Sequence, residues 1–259
     1  MRLILLLLLL LPVHAFACGG ADDPCVLPDG RSYHLRVPDG WDGASPLPVL
    51  MHFHGWQRQG TLVIRHGRIA SATVRRGVLL VAPNGARKTW DFWTADTPDV
   101  GFADAVLADV RTRFPVTEVY VSGYSYGAAM AWRFACQSGD DIAALLGISG
   151  TLPQSETCPE APAQVRHVHG LDDTVLRFPF GPRGEVDHAV ALWRDHYGCT
   201  AGIIAGDWNA RDFLTFTRTT WSCDGGAVTL DTHPGGHFIP HGWIARQLDQ
   251  MLGLPPSYP

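Results

Sequence analysis

Hydrophobic residues cluster in short runs rich in Val, Ile and Leu, such as Val49-Leu50-Met51 and Val78-Leu79-Leu80-Val81, separated by longer stretches with apolar residues at three- and four-residue spacing. Short continuous runs predict strands buried on both faces, and the helical period predicts amphipathic helices between them. On this reading strands occupy 33–37, 47–53, 78–82, 118–122, 143–148, 164–169 and 227–233, and helices 61–75, 99–113, 126–137, 185–197 and 242–252. Alternating strand and helix predicts an α/β class, with a mainly parallel central sheet and helices on both faces. The stretch 198–223 is less regular and is expected to form extra strands or loops on the rim. The Pro-rich tail 255–259 is expected to fray.

The amino terminus stands apart from this pattern. Met1-Arg2 precedes a leucine-rich run from Leu3 to Leu11, then Pro12 and the small-residue pattern Ala15-Phe16-Ala17. That is the form of a signal peptide spanning 1–17, and the run is well short of the roughly 20 residues a membrane span needs. Cleavage after Ala17 leaves Cys18 first, so a lipid anchor at Cys18 is weighed beside simple secretion to the periplasm or exterior. Ala15 argues against the anchor, because lipoprotein signals usually carry Leu three before the cysteine.

Removing the leader leaves 259 − 17 = 242 residues, which suits one domain over 18–254. Charged residues make up 17%, the formal net charge is −5 and there is no basic block. Nucleic acid and anionic membrane surfaces are therefore not expected as partners. A monomer acting on a neutral small or polymeric substrate is expected. Six cysteines in an exported chain point to disulfides, with 15 pairings open. Local pairing predicts Cys18 with Cys25, Cys136 with Cys158 and Cys199 with Cys223, and no two cysteines sit at zinc-ligand spacing.

The chemistry concentrates at Gly123-Tyr124-Ser125-Tyr126-Gly127, between the strand Glu118-Val119-Tyr120-Val121-Ser122 and a helix opening at Gly127-Ala128-Ala129. G-x-S-x-G in a strand-to-helix turn is a nucleophile elbow, which lifts the serine hydroxyl off the sheet edge. Serine needs a histidine base oriented by a carboxylate, and both should follow it in the chain. Asp173, with Asp172 as alternate, lies on the loop after strand 164–169. His237 follows the last strand in His233-Pro234-Gly235-Gly236-His237, with His233 and His241 as packing or surface residues. The oxyanion donors are assigned to the backbone amides of Tyr126 and of Trp56, in the turn His54-Gly55-Trp56-Gln57. Trp56, Trp90 and Trp93 are candidate walls of the substrate site.

Taken in order, His54-Gly55-Trp56-Gln57, Asp99-Val100-Gly101-Phe102, Gly123-Tyr124-Ser125-Tyr126-Gly127-Ala128-Ala129-Met130, His169-Gly170-Leu171-Asp172-Asp173 and Gly235-Gly236-His237 make the chain resemble a family. It resembles the polyhydroxybutyrate depolymerase and feruloyl esterase family of secreted α/β-hydrolases over roughly residues 25 to 252. The resemblance implies an α/β-hydrolase fold, the roles just given to Ser125, Asp173 and His237, and an oxyanion hole at Trp56 and Tyr126. Trp56 and Tyr126 depart from the polyester-cleaving members, where cysteine and a polar residue are common. No cofactor is expected. A metal is not expected either, because Pro234, Gly235, Gly236 and Pro240 preclude the helix on which His233, His237 and His241 would converge. The spacing between Ser125 and Asp173 leaves no room for a large lid. The expected activity is hydrolysis of feruloyl- or acetyl-type esters, the alternative being short hydroxyalkanoate polyesters.

Overall fold

The computed structural model describes residues 18–258, and the leader predicted over 1–17 lies outside the described residues. Ten strands form one sheet: β1 (Cys25–Val26), β2 (Ser32–Arg36), β3 (Leu47–Phe53), β4 (Leu79–Pro83), β5 (Val116–Tyr124), β6 (Ala144–Ile148), β7 (Gln164–Gly170), β8 (Ile203–Arg211), β9 (Leu214–Ser222) and β10 (Ala227–His233). Their order is β1-β2-β4-β3-β5-β6-β7-β10-β9-β8. The six central strands from β4 to β10 run parallel, and antiparallel pairs close both edges. The helices are α1 (Gly60–Arg65), α2 (Gly67–Val74), α3 (Pro98–Arg113), α4 (Tyr126–Gln137), α5 (Ala191–His196) and α6 (Trp243–Met251). This is the α/β-hydrolase arrangement expected from the alternation.

Successive strand residues point to opposite faces, so the sheet separates two cores. Val49, Met51, Phe53, Val119 and Val121 pack toward α3, α4 and α5, against Val106, Trp132, Phe134 and Trp193. Leu50, Leu80, Tyr120 and Leu146 pack the other way, toward α1, α2 and α6, against Ile64, Ile69, Trp243 and Leu248. Local signals set the longest helix. The Thr97 side chain accepts from the Asp99 amide at 3.3 Å and Pro98 opens the first turn, while Pro115 lies just beyond the end.

Several boundaries differ from expectation. The helix expected over 61–75 is two helices, because His66 takes extended backbone (φ −78°, ψ 113°) ahead of Gly67, a poor helix former. The first part of 185–197 is a 3₁₀ turn, Val186–Val190, before α5. The stretch 198–223 is regular: β8 and β9 form an antiparallel pair that extends β10. The tail is docked rather than frayed. The Ser257 amide donates to Asp249 at 2.9 Å, Arg76 donates to Ser257 Oγ at 2.6 Å, and Tyr258 meets Arg246 and His241.

All three expected disulfides are present, Cys18–Cys25, Cys136–Cys158 and Cys199–Cys223. No helix among the described residues is long and apolar enough to cross a membrane.

One buried carboxylate ties the added strands to the rest. Asp231 of β10 is fully buried and accepts four hydrogen bonds: from Trp208 of β8 at 3.1 Å, from Arg218 of β9 at 2.8 and 2.7 Å, and from Trp243 of α6 at 2.8 Å. Removing it leaves the Arg218 charge and two indole donors uncompensated. Asp231→Ala is expected to destabilise the fold by about 3–5 kcal/mol in urea denaturation; a loss below about 1 kcal/mol would mean that the network does not tie these elements together.

Candidate active site

Strand β5 runs straight into α4 through Ser125, which takes φ 60° and ψ −126°, a conformation that costs a non-glycine residue free energy. The turn persists because its neighbours leave room. A Cβ on Gly123 would strike the backbone of Gly127 and Ala128, and one on Gly127 would strike the carbonyls of Phe53 and His54. The Ser125 amide donates to the Ile148 carbonyl at 3.0 Å, which fixes the turn to β6.

Of the two candidate aspartates, the structure brings Asp173 to the histidine and leaves Asp172 exposed. His237 Nδ1 donates to Asp173 Oδ2 at 2.6 Å, and the amides of Val175 and Leu176 each donate to Oδ1 at 2.9 Å. The Asp173 side chain is wholly buried. Tyr124, next to Ser125, lays its ring 4.8 Å from that of His237 and donates its hydroxyl to the His237 carbonyl at 3.0 Å. The elbow and the histidine loop are thereby in contact, although no hydrogen bond joins Ser125 Oγ to His237 among the described residues. Such bonds are often long without substrate.

The loop carrying Trp56 is held by its neighbours. His54 Nδ1 donates to the Gly55 carbonyl at 2.8 Å, so its Nε2 is free to accept from the Gly85 amide at 2.9 Å. Trp90 Nε1 donates to the His54 carbonyl at 2.7 Å, and the Gln57 amide to the Lys88 carbonyl at 2.7 Å. The Trp56 and Tyr126 amides donate to no acceptor among the described residues, which leaves them available to an oxyanion. Trp90 is thus not a wall of the site. It is 2% exposed and packed edge-on against Phe53, because its indole N–H is committed to the loop. His54 and Trp90 both hold this loop in place.

Two clefts are lined by the chain neighbours of Ser125, one by Tyr126 and the other by Tyr124. One, of about 500 Å³, is lined by Phe92, Trp93, Tyr126, Leu152, Leu176 and Leu192 among others. The rings of Phe92, Trp93 and Tyr126 meet at 4.3 to 6.3 Å. The other, of about 660 Å³, is lined by His237, Gly55, Tyr124, Arg58, Arg65 and Arg68 with further residues. Trp93 lines the first cleft. Trp56 is 60% exposed and its side chain lines neither.

Comparison with known proteins bears on the fold and on the class of reaction. The phospholipase and carboxylesterase family profile matches residues 100–192. Feruloyl esterase C of Emericella nidulans is 27% identical over 156 residues, a match spanning 57% of each chain. A probable feruloyl esterase C of Aspergillus niger is 26% identical over 224 residues, 81% of this chain and 77% of the relative. Among solved structures, an acetyl xylan esterase from Aspergillus awamori superposes with a TM-score of 0.66 at 15% identity, covering 89% of this chain and 98% of the other. The chain has the α/β-hydrolase fold, and its resemblance to the feruloyl esterase type holds beyond the motifs that first suggested it.

Five further histidines, His52, His54, His167, His169 and His233, are buried, which favours their neutral form. Burial pushes His52 down to about 3, and His54 and His233 down to about 4, while His167 and His169 are lowered for the same reason. His169 Nε2 donates to the Leu176 carbonyl at 2.8 Å and lies 3.3 Å from Asp173, so it braces the loop that holds the aspartate. In the unfolded chain each histidine titrates near 6.5. Between about pH 6.5 and 4 the unfolded state therefore binds more protons, and stability is lost as pH falls through that window. Each such histidine contributes a slope of up to about 1.4 kcal/mol per pH unit. The urea midpoint is expected to begin falling near pH 6.5, above the carboxylate range; a midpoint flat from pH 7 to 5 would contradict the buried neutral assignment.

Proposed function

We propose that this protein is an exported serine esterase that cleaves carboxylic esters through an acyl-enzyme. The observation that carries the reading is the Asp173–His237 pair at 2.6 Å, held against a strained Ser125 at the carboxyl end of the sheet. Ser125 Oγ attacks the ester carbonyl as its proton passes to His237 Nε2. Asp173 holds the tautomer with Nδ1 protonated and stabilises the imidazolium that forms. The oxyanion gathers the amides of Trp56 and Tyr126. Collapse expels the alcohol, which takes the proton from His237, and water repeats the sequence to release the acid.

The same proton transfer assigns the two clefts. The departing oxygen must lie beside His237, so the alcohol occupies the 660 Å³ cleft with its arginines, and the acyl group the 500 Å³ aromatic cleft. Arginines beside the alcohol suit a sugar's hydroxyls, and an aromatic cleft suits an aryl acyl group. The relatives' names, feruloyl esterase C and a bifunctional acetylxylan esterase/xylanase of Neocallimastix patriciarum, support feruloyl- or acetyl-type esters ahead of hydroxyalkanoate polyesters. The last match spans only 29% of that relative. Three disulfides support export to an oxidising compartment.

The test is hydrolysis of p-nitrophenyl acetate and butyrate, methyl ferulate and hydroxybutyrate oligomers by the mature protein beside S125A and D173N. Ser125→Ala is expected to lower kcat by at least about 10³-fold, and Asp173→Asn by about 10⁴-fold with KM little changed. Equal activity in the wild type and S125A would sink the mechanism, and turnover of amides but no esters would sink the substrate class.

A further inference from the structure

The net charge of −5 hides how unevenly charge is placed along the chain. None of the 25 acidic residues falls between residues 43 and 90, whereas six arginines and a lysine do. That stretch holds α1 and α2, which pack on one side of the sheet. At α2, Arg68, Ser71, Ala72 and Arg75 recur at three- and four-residue spacing, so they share one face, and all four line a cleft of about 900 Å³. Arg68 and Arg75 stand roughly 10 Å apart along the helix axis. This cleft adjoins the 660 Å³ cleft beside His237, because His66 and Arg68 line both, and Arg58 lines the latter.

Arg58, Arg68 and Arg75 are exposed and have no acidic partner among the described residues. The carboxylates that reach these walls are already taken, Asp22 by Arg65 at 2.7 Å and Asp249 by Arg76 at 2.5 Å. Arg68 donates from Nη1 to the Ile239 carbonyl at 2.5 Å, which fixes it beside the His237 loop and commits one of its several donors. Cations gathered in a cleft without acids repel one another and focus the field on an anion. Sugar hydroxyls need no such charge. A carboxylate does, since its two oxygens match the guanidinium fork.

Position decides which anion. The basic cleft adjoins the side assigned to the alcohol, so the negative groups belong to the alcohol part of the ester. Arginines spread along α2 call for charges that recur along a chain. A polysaccharide of uronic acids has both features, hydroxyls that can be esterified and carboxylates on successive sugars. A single-stranded nucleic acid would need aromatic rings for its bases, whereas Tyr258 of this cleft is engaged by Arg246 and His241. A flat anionic membrane does not enter a cleft. We propose that the 900 Å³ cleft is a subsite for an acidic polysaccharide, with Arg58, Arg68 and Arg75 pairing with uronate carboxylates on the alcohol side of the ester. This rests on the esterase reading and names the alcohol class within it, in place of the neutral substrate that net charge suggested.

The experiment compares kcat/KM for acetate release from O-acetylated polygalacturonate and from O-acetylated glucomannan, a neutral polymer, in the wild type and R68Q/R75Q. The wild type is expected to prefer the acidic polymer by about tenfold at low salt, the combined effect of three exposed ion pairs. The preference is expected to vanish in about 1 M sodium chloride, where exposed charges are screened. Arg68→Gln with Arg75→Gln is expected to bring the ratio to within about threefold of one. A wild-type ratio near one, or a preference that survives high salt or the double substitution, overturns the proposal. So does inhibition by single-stranded DNA or phosphatidylglycerol vesicles that matches inhibition by unesterified polygalacturonate, since charge would then be read without the sugar. The wild-type ratio and its salt dependence decide even if the double variant fails to fold. Hydrolysis of p-nitrophenyl acetate with no release from either polymer counts against the subsite alone, whereas a protein inert toward p-nitrophenyl acetate as well sinks the esterase reading together with it.

Discussion

At the end of β5 the chain turns into α4 with no residue to spare, and most of the site's geometry is a consequence of that turn. Ser125 can hold φ 60° only because α4 presses directly on β3, where Gly127 meets the carbonyls of Phe53 and His54. The contact that allows the elbow also sets the height of the His54-Gly55-Trp56 loop above the sheet. Gly55 of that loop lies against Tyr124 and Ser125, so the loop and the elbow meet. Any side chain at Gly127 would push apart the nucleophile and the loop that complements it. Nucleophile and oxyanion donors are in this sense a single packing arrangement.

The histidines around this turn are part of the same constraint. Loops that carry donors at a sheet edge must be rigid, yet their backbone groups have few regular partners. His54 solves this by donating from Nδ1 and accepting at Nε2, which requires the neutral ring that its burial enforces. His169 braces the Asp173 loop through the Leu176 carbonyl, and His233 accepts from the Gly235 amide at 3.1 Å beside the histidine loop. The rigidity of the site therefore carries a built-in sensitivity to acid.

The parallel centre of the sheet was legible in the sequence because strands buried on both faces read as unbroken apolar runs; β3 and β10 fall where 47–53 and 227–233 were expected. The rim was not, since most of β8 is exposed and Ile203-Ile204-Ala205-Gly206 carries no alternation to announce a strand. The structure brings together Asp173 and His237, which residue type, order and context had singled out. Trp90 misled because an aromatic near a site loop reads alike whether it faces substrate or anchors the backbone. Only its N–H bond to His54 separates the two. The docked tail escaped because its partner Arg76 lies 181 positions away in sequence.

Arg133 and Arg218 pose the same ambiguity in charge. Both are buried arginines facing an acidic partner, and sequence gives them one reading. Arg218 is closed: Nε and Nη2 reach Asp231, and Nη1 and Nη2 reach Gln250 and Gln247, so every nitrogen has an acceptor. Such a network ties strands to a helix and has nothing left to offer a ligand. Arg133 is open at Nη1, and its partner Glu156 keeps 28% of its side chain exposed at a cleft. The difference lies in the count of donors against acceptors at each place, which no spacing rule reports. One unmatched nitrogen does not by itself mark a ligand site, because Arg31, Arg194 and Arg246 each leave Nε without a partner as well, whereas a fully matched guanidinium such as Arg218 is committed to the fold.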